Sequence, residues 1–560
     1  MIAMLGTSVA LAVSCSMGQN GPLAADFLDD DVHAHGVNGI PTTAGAPDFG
    51  QQPLIPADPA AAGKRIPLNL LYTSDIHSRV DPFPTEFYHH TYAGKGGYAR
   101  LATLSRQLRQ QSPNTLLLDS GDYLQGSPFF NFFKGQVELQ AMNKIQYDAI
   151  TIGNHEFDNG VAPLRNALSF FKGPIIASNV TFSPNIGQRY AILKAGPLRV
   201  GVFGLLTEVN GLITPPAFQT AKYYDPVKVA QAAVAQLRKE ADIIVCISHV
   251  GIVAPWAETE PEALEDATPK TPRVTDERIA QLVPGIDVIL SGHTHAQLQR
   301  ALTIKNGEGS TLIVAPGYGG GFLGQLSLTV QDGRVVAQTN KLHPLDQKVP
   351  LAGDVESLIA PFRAKMDQTV QRRIGSAVAA FGRYGAQDTE SGLNNLIADS
   401  SLTAARKIDP AVAFGMSSSG TPRNFILQGP ITVEDAYYAL PFDNKLVIVG
   451  AKGQTVLDIL SVQRRTSDNK RHAIGNASYT LDRATGKISN VIIDGKPFDP
   501  SRTYKIAVND YMADGASGFT MLPALKRQNT QVLQRDALIA HIETVKTMIP
   551  EVGRIKVIGR

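Results

Sequence analysis

The chain has 560 residues, more than one hydrophobic core usually supports, so the sequence predicts two domains with connecting segments. Apolar residues make up 43% and charged residues 18%, which excludes a disordered chain and a protein with many membrane spans. The 52 basic and 50 acidic residues nearly cancel and form no long run of one sign, which argues against binding to a nucleic acid polymer. A small anionic substrate fits this charge if a metal site supplies local positive charge.

The N-terminal segment is short and apolar and leads to one of the two cysteines. The run Leu11-Ala12-Val13-Ser14-Cys15 resembles a bacterial lipoprotein signal, in which the cysteine becomes the lipidated first residue. The segment is too short to cross a bilayer as a helix of about 20 residues. We therefore expect residues 1–15 to direct export to the periplasm or cell envelope, with a lipid anchor at Cys15 as the only membrane contact. A cleaved secretion signal and a cytoplasmic protein are the alternatives.

Residues 16–65 are rich in Gly, Ala, Pro and Asp without a sustained period, which is typical of a flexible linker. Short β-rich apolar runs then alternate with amphipathic stretches such as Ala99–Gln110 and Val227–Lys239. The predicted strands are Leu68–Thr73, Thr115–Leu118, Ala149–Ile152, Ile243–Ile247, Val288–Leu290 and Leu312–Val314. This alternation predicts a layered α/β domain of sheets flanked by helices over residues 66–345. The Pro- and acid-rich segment Glu258–Thr275 is predicted to be an inserted surface loop.

The alternation stops near Pro344–Pro350, and Val355–Arg373 is predicted to form one long amphipathic helix. We take residues 346–375 as a connector and residues 376–555 as a second, α+β domain. Its predicted elements are a helix over Leu393–Lys407 and strands near Leu446–Val449 and Tyr504–Val508.

Five short polar motifs follow predicted strands of the first domain. They are Ser74-Asp75-Ile76-His77, Ser120-Gly121-Asp122, Gly153-Asn154-His155-Glu156-Phe157-Asp158, Ser248-His249-Val250-Gly251 and Ser291-Gly292-His293-Thr294-His295. Open α/β sheets collect ligands at the carboxyl ends of their strands, so we expect the motifs to meet. Two divalent cations about 3.5 to 4 Å apart need a shared carboxylate, while imidazoles and oxygens complete each shell. Together the motifs predict such a dimetal centre.

With these motifs the chain resembles the calcineurin-like metallophosphoesterases, and among them the bacterial 5′-nucleotidase and UDP-sugar hydrolase group. The resemblance covers residues 66–555 and includes the further signature Gly96-Gly97-Tyr98-Ala99-Arg100. It implies two divalent ions, such as manganese, zinc or iron, bridged by Asp122. The other ligands that it implies are Asp75, His77 and His295 for one ion and Asn154, His249 and His293 for the other.

The resemblance also implies a mechanism, in which a hydroxide held between the two ions attacks phosphorus in line. His155 follows the ligand Asn154 and is expected to face the substrate, where it stabilises the transition state or protonates the leaving alkoxide. Asp158 is expected to orient His155 and to favour its charged form. In the related enzymes the C-terminal domain rotates to carry the substrate to the metals, which would make Val355–Arg373 the hinge region.

Substrate contacts are expected from the second domain, where the family holds a nucleotide base between two aromatic rings. Leu440-Pro441-Phe442-Asp443-Asn444 and Val508-Asn509-Asp510-Tyr511 match these two family positions. Phe442 and Tyr511 are therefore the predicted ring pair, and Asn444 is predicted to contact the base edge.

Three positions depart from the family pattern. The family's glycine-rich stretch is Ser418-Ser419-Gly420-Thr421-Pro422-Arg423 here, which keeps the arginine as a predicted phosphate ligand. Ser517 stands where the family usually has a sugar-binding aspartate. The region of Arg383 and Gln387 is where the family places further phosphate-binding arginines.

The leading hypothesis is an exported 5′-nucleotidase that also accepts UDP-sugars. One alternative is a 2′,3′-cyclic-nucleotide 2′-phosphodiesterase with 3′-nucleotidase activity, although Asp158 favours the first hypothesis because that branch often carries asparagine there. An alternative of another class is a catalytically idle surface protein that binds nucleosides or a partner. An idle site has no need for seven polar residues that cost stability when they are unpaired, which argues against it.

Overall fold

A computed structural model describes residues 40–50, 52, 55–84, 92–210, 212–213, 215–253, 274–307, 309–383, 390–462 and 472–559. The predicted lipidation site Cys15, Gln387 and nearly all of the predicted loop Glu258–Thr275 lie outside these ranges. Within them, no helix has the length and apolar character needed to cross a membrane.

The first domain contains two six-stranded sheets. In spatial order, sheet one consists of Arg334–Pro344, Phe322–Gln331, Ile66–Thr73, Thr115–Asp119, Ala149–Thr151 and Ile175–Ile176. Sheet two consists of Leu302–Asn306, Gly309–Val314, Val288–Ser291, Ile243–His249, Leu198–Leu206 and Tyr190–Ala195. The middle strands of each sheet run parallel. All six predicted strands are therefore present, within three residues of their predicted ends.

The strands of both sheets are apolar on both faces. One face of each sheet therefore packs on the other sheet, and the opposite face packs on helices. Leu70 of sheet one and Val245 of sheet two share the core between the sheets. Their neighbours Leu71 and Ile244 point the other way, into cores that contain residues of helices. The first domain is thus a sandwich of two sheets flanked by helices, as predicted. Its helices are Tyr98–Gln111, Pro128–Phe133, Gln136–Ile145, Val161–Leu168, Pro226–Leu237, Asp276–Leu282 and Gly353–Val370.

The helix Gly353–Val370 packs on the first domain through Val355, Ile359 and Met366. The predicted helix Val355–Arg373 extends too far, because Arg373 already begins a strand that pairs with Gly429–Thr432. The hinge expected in this connector stays a prediction, and the packing favours a position after Val370.

The second domain is built on a five-stranded sheet, with two smaller sheets beside it. The five strands, in spatial order, are Ala473–Gly475, Val412–Ser417, Thr503–Asn509, Lys445–Lys452 and Arg527–Leu533. The smaller sheets consist of Gly429–Thr432, Arg373–Ala377 and Thr547–Met548, and of Lys496–Pro497, Ile488–Ile493, Ala477–Asp482 and Ile555–Ile558. The helices are Gly392–Ile408, Val433–Ala439, Gln454–Ser461, Asp510–Ala513 and Gln534–Val545. This is the predicted α+β composition.

The described part of the predicted linker lies against the first domain. Ile40 is buried, and Thr42–Thr43 forms a parallel pair with the strand Ala221–Tyr224. The ring of Phe49 stacks on that of Tyr190, with 6.3 Å between centroids. These apolar contacts fix residues that the Gly- and Pro-rich composition predicts to be a flexible linker.

Candidate dimetal site

The ligands predicted from the five motifs come together where parallel strands of both sheets end. Asp75 and Asp122 follow strands of sheet one, and Asn154 follows the next strand of that sheet. His249 is the last residue of its strand in sheet two, and His293 follows the adjacent strand. The strand ends thus bring side chains from separate motifs into two groups, each with ligand atoms within 4.8 Å of one another.

The first group consists of Asp75, His77 and His295. The Nε2 atoms of His77 and His295 are 3.1 Å apart, and His295 Nε2 is 3.6 Å from Asp75 Oδ1. Burial lowers the pKa of His77 to about 3 and also lowers that of His295. The backbone carbonyl of Gln125 faces His77 Nδ1 at 3.2 Å and can only accept, so Nε2 presents its lone pair to the group.

The second group consists of Asp122, His249 and His293. His249 Nε2 lies 2.9 Å from Asp122 Oδ2, and its Nδ1 donates to the Ser120 carbonyl at 2.7 Å. Burial opposes the charge of His249, but the carboxylate of Asp122 outweighs it and raises the pKa to about 10. Asp122 Oδ2 is also 3.9 Å from His77 Nε2 of the first group. Asp122 is therefore the carboxylate that lies between the two groups.

The buried polar atoms of this cluster fit a pair of cations. Asn154 is 4% exposed, and its Oδ1 has no hydrogen-bond partner among the residues that the structure describes. Burial, with a further contribution from the carboxylate of Asp122, raises the pKa of Asp75 to about 7. It is costly in a protein interior to bring together neutral imidazoles that face each other, neighbouring carboxylates and an unsatisfied amide oxygen. The same groups are the N/O ligands that divalent metals prefer. The residues present therefore fit two metal ions.

The backbone at the ligands adopts a conformation that is rare for residues other than glycine. Asp75, His77, Asp122, His293 and His295 all have φ between 50° and 68°. Such left-handed residues cost free energy and persist where the surrounding structure fixes them, often at functional sites. All five residues lie within four positions of the end of a strand, so the conformation occurs in the short loops that carry the ligand groups.

Gly153 allows the loop before Asn154 to approach Asp122. A Cβ atom at this position would lie 2.2 Å from Asp122 Oδ1 and 2.6 Å from its backbone nitrogen. We expect Gly153→Ala to displace the Asp122 carboxylate and to weaken metal binding by more than about tenfold, since even outer partners of metal ligands contribute that much. The metal content after dialysis against manganese measures this effect. Gly353→Ala is the control, because a Cβ there meets no atom of the described part of the chain within 4 Å.

Two buried acids outside the predicted site residues hold the ligand loops in place. Glu156 accepts backbone N–H groups of Asp122, Leu124 and Gly153 at 2.9, 3.0 and 2.6 Å. Asp276 accepts hydrogen bonds from two serine hydroxyls, Ser248 Oγ at 2.6 Å and Ser291 Oγ at 2.5 Å. These serines come shortly before the ligands His249 and His293. Glu156 belongs to the motif that contains Asn154 and His155, so its position gives a sequence signal, whereas Asp276 lies outside all five motifs.

His155 and Asp158 form the pair that the sequence predicts beside the metal ligands. His155 Nδ1 is 2.9 Å from Asp158 Oδ2, and the backbone N–H of His155 donates to Asp122 Oδ1 at 2.9 Å. Burial opposes the charged imidazole, but the carboxylates of Asp158 and Asp122 raise the pKa of His155 to about 9. The His155 ring lies 5.2 Å from that of His77, between centroids.

A pocket that is partly open to solvent adjoins the cluster and is lined by both domains. The first domain contributes His77, Arg79, Gln125, Gly126, His155, His295 and Tyr318, and the second contributes Arg423, Tyr438 and Phe442. The Phe442 ring lies 5.7 Å from the His155 ring, and the Arg423 guanidinium lies 5.0 Å from the centroid of Phe442. Two of the predicted substrate residues thus reach the metal-ligand cluster.

The other four predicted substrate residues do not line this pocket as the described residues form it. Arg383 is buried and donates to the Pro422 carbonyl at 2.5 Å, directly beside Arg423. The backbone carbonyl of Asn444 accepts from Gln534. Tyr511 lies in the short helix Asp510–Ala513, and Ser517 follows that helix with φ of 53°.

A sheet sandwich whose strand ends bring two adjoining groups of carboxylate and imidazole ligands together defines a dimetal hydrolase of the phosphoesterase type. The calcineurin-like phosphoesterase model matches residues 68–297, and the model of the 5′-nucleotidase C-terminal domain matches residues 370–524. The chain therefore belongs to the calcineurin-like phosphoesterases that carry a 5′-nucleotidase C-terminal domain, a family of metal-dependent enzymes.

Relatives match both domains together. The chain is 25% identical to human 5′-nucleotidase over 548 residues, which covers 87% of this chain and 90% of the relative. It is 26% identical to the 5′-nucleotidase of Vibrio cholerae over 509 residues, which covers 83% of this chain and 88% of the relative. The crystal structure of a 5′-nucleotidase precursor from Thermus thermophilus superposes with a TM-score of 0.73 at 26% identity, over 88% of this chain and all of the other.

Proposed function

We propose that the protein hydrolyses the phosphate ester of nucleotides, above all of nucleoside 5′-monophosphates, and that UDP-sugars are a secondary substrate. Residues 66–345 hold the metals, residues 376–555 hold the nucleotide, and residues 346–375 connect the two. The observation that carries this proposal is the shared pocket, in which Arg423 and Phe442 of the second domain meet the metal ligands and His155 of the first. The relatives named as 5′-nucleotidases support the same reaction.

The proposed ligands are Asp75, His77 and His295 for one ion and Asn154, His249 and His293 for the other, with Asp122 between them. When both ions are bound, they supply a nucleophilic water at neutral pH and offset the charge of the phosphoryl oxygens. His155, held by Asp158, donates a proton to the leaving alkoxide or stabilises negative charge in the transition state. Arg423 is a fixed cation in the same pocket and binds the phosphoryl group.

A phosphate-release assay tests the proposal directly. The full-length protein, loaded with manganese or zinc, is given AMP, 2′,3′-cyclic AMP or UDP-glucose. We expect AMP to be the best substrate. Preference for the cyclic nucleotide would replace the proposal with the phosphodiesterase alternative, and absence of phosphate release from all three would refute it.

Phe442 should matter for nucleotides and not for small phosphate esters. Because stacking on a ring contributes about 1 to 3 kcal/mol per base, Phe442→Ala should raise the KM for AMP about 5- to 150-fold. The KM for p-nitrophenyl phosphate should change far less. Phe498→Ala is a matched control in the same domain, because Phe498 packs on Tyr504 and not in the pocket. Equal effects of Phe442→Ala on both substrates would contradict base stacking.

Tyr511 is retained in the proposal as the second ring, with Asn444, Ser517 and Arg383 as further nucleotide contacts. Asn444 belongs to the same stretch of chain as Phe442, whereas Tyr511, Ser517 and Arg383 come from other stretches. None of the four lines the pocket that the described residues form. Tyr511→Ala therefore separates two arrangements of the base. A rise in KM for AMP like that of Phe442→Ala supports a two-ring sandwich, and an unchanged KM leaves Phe442 as the single stacking ring.

We also propose that the protein is exported and anchored through Cys15. The Leu11–Cys15 run carries this proposal. Cys15→Ser should shift the protein from the membrane fraction to the soluble fraction, because one acylated cysteine is the only membrane contact proposed. Fractionation of cells that produce each form, followed by immunoblotting, measures the shift. Unchanged membrane association would refute the anchor.

A further inference from the structure

Tyr318 lies in the pocket beside the metal ligands and belongs to none of the five motifs. It stands in the glycine-rich loop Ala315-Pro316-Gly317-Tyr318-Gly319-Gly320-Gly321, which follows the strand Gly309–Val314. Its side chain is half-buried and lines the pocket together with His77 and His295. The roles proposed above do not include this ring.

The phenol ring of Tyr318 packs on two imidazoles of the first ligand group. Its centroid lies 4.6 Å from that of His295 and 5.3 Å from that of His77, with interplanar angles of 36° and 42°. The two imidazoles are themselves 5.1 Å apart, with an interplanar angle of 75°. Aromatic rings in stabilising contact have centroids about 4.5 to 7 Å apart. The three rings therefore form one packed cluster, in which Tyr318 contacts both imidazoles.

His295 differs from two other predicted ligands in what orients its ring. A ligand imidazole usually donates from its second nitrogen to an oxygen outside the metal shell, which fixes the ring. The Nδ1 atom of His77 faces the Gln125 carbonyl at 3.2 Å, and that of His249 donates to the Ser120 carbonyl at 2.7 Å. The Nδ1 atom of His295 is buried and has no hydrogen-bond partner among the described residues. Within this part of the chain, packing rather than a hydrogen bond at Nδ1 orients the His295 ring.

The loop that carries Tyr318 is attached to the third ligand of the same group. The backbone N–H of Gly319 donates to the carbonyl of Asp75 at 2.7 Å, and that of Tyr318 donates to Tyr92 Oη at 3.3 Å. Gly319 has a φ of 62°, and a Cβ atom there would lie 2.2 Å from the Phe83 ring, so a larger residue does not fit. The loop therefore fixes the Tyr318 ring relative to Asp75 as well as to the two imidazoles.

We propose that Tyr318 is a positioning residue for the first metal site, because its ring holds His295 and His77 in the orientation that binds one ion. The inference rests on the ligand allocation in the proposed function, in which these two residues and Asp75 share an ion. It does not depend on which phosphate ester is hydrolysed. Since the contacts with His295 and His77 lie in the first group, loss of the ring should weaken binding of one ion more than that of the other.

Manganese binding to the full-length protein tests this role without relying on turnover, and the parent protein should bind two equivalents. In Tyr318→Ala, titration calorimetry should show the affinity for one equivalent falling about 10- to 100-fold, the range for residues that hold a metal ligand from outside its shell, while the other changes by less than about threefold. Tyr318→Phe should keep both affinities, because the ring is retained. Tyr224→Ala is the matched control, since Tyr224 is a partly buried tyrosine of the same domain that belongs to neither ligand group and does not line the pocket.

Electron paramagnetic resonance of the bound manganese gives a second readout, which a general loss of stability would not produce. Two manganese ions that share a carboxylate give a spin-coupled spectrum. In Tyr318→Ala, loss of one ion should replace that spectrum with the spectrum of an isolated ion. Tyr318→Leu serves if Tyr318→Ala does not fold, because leucine keeps apolar bulk but lacks the flat ring, and it should weaken the same equivalent.

Unchanged affinity for both equivalents in Tyr318→Ala or Tyr318→Leu, or an equal loss of both, would overturn the inference. AMP hydrolysis by the parent protein is measured separately. If the parent binds two ions but leaves AMP intact, selective loss of one equivalent in Tyr318→Ala would sustain the inference and refute the proposed function. If the parent releases phosphate from AMP and Tyr318→Ala binds both ions as the parent does, only the inference fails.

Discussion

Replacing Asp122 with asparagine should remove stable binding of both metal ions and, with it, phosphate release from AMP. Asp122 Oδ2 lies 2.9 Å from His249 Nε2 and 3.9 Å from His77 Nε2, so the carboxylate faces both ligand groups. Asparagine preserves the size of the side chain but is neutral and offers one oxygen. It cannot screen the repulsion between two divalent cations. Residues that only hydrogen-bond to metal ligands already contribute about 10- to 100-fold to metal affinity. For Asp122→Asn, we therefore expect metal affinity to fall by more than about 100-fold.

Two measurements test Asp122→Asn: the metal content of the protein after dialysis and its rate of AMP turnover. Asp148→Asn is a suitable control, because Asp148 pairs with Arg109 and belongs to neither ligand group. That control should keep two metal equivalents per chain. If Asp122→Asn also retained two tightly bound equivalents, Asp122 would not be the shared ligand and the proposed chemistry would lose its basis.

Strand positions in the first domain could be predicted because burial on both faces leaves a strong local signal. Ile243–Ile247 is continuously apolar, and the structure places alternate residues of that strand in two different cores. The meeting of the five motifs could be predicted for a related reason, whereas the assignment of each ligand to an ion came from the resemblance to the calcineurin-like metallophosphoesterases. Each motif stands directly after such a strand, so finding the strand also locates the motif at the edge of the sheet.

Contacts that depend on distant partners could not be predicted in the same way. Ile40, which is buried, and Phe49, which is half-buried, lie in a Gly- and Pro-rich stretch. They are covered because they pack on residues of the first domain. Asp276 supports two ligand-bearing strands through Ser248 and Ser291, but no spacing in the sequence connects these residues. Long-range packing, rather than local propensity, decides such positions.

The second domain shows the same limit at the substrate site. Phe442 reaches the pocket because Asp443, the next residue, is held from both domains. Lys134 Nζ of the first domain donates to Asp443 at 2.5 Å, and Arg535 Nη2 of the second donates at 2.7 Å. Tyr511 is aromatic like Phe442 and also matches a family position, but its place in the structure depends on the packing of a four-residue helix. A sequence motif therefore predicts that an aromatic residue is present, but it does not predict how far that residue lies from the metal ligands.

His155→Ala should retain both metal ions and yet lose about 10²- to 10⁴-fold in AMP turnover, the range for a positioned general acid or base. The His155 imidazole belongs to neither ligand group. The contact of residue 155 with Asp122 Oδ1 uses a backbone N–H, which alanine keeps. Asp158→Asn should cause a smaller loss, because the imidazole remains but loses the carboxylate that lies 2.9 Å from its Nδ1. Metal content and steady-state rates of both variants separate the chemical role from a structural one.

The choice of substrate shows which task His155 performs. The ribose alkoxide of AMP needs a proton to leave, whereas p-nitrophenolate leaves without one. If His155 is the acid, the defect of His155→Ala should shrink strongly with p-nitrophenyl phosphate. If the imidazolium instead stabilises phosphoryl charge, the defect should be similar for both substrates. Full turnover of AMP by His155→Ala, with metals retained, would refute the pair as catalytic residues and leave His155 and Asp158 as a turn-stabilising contact.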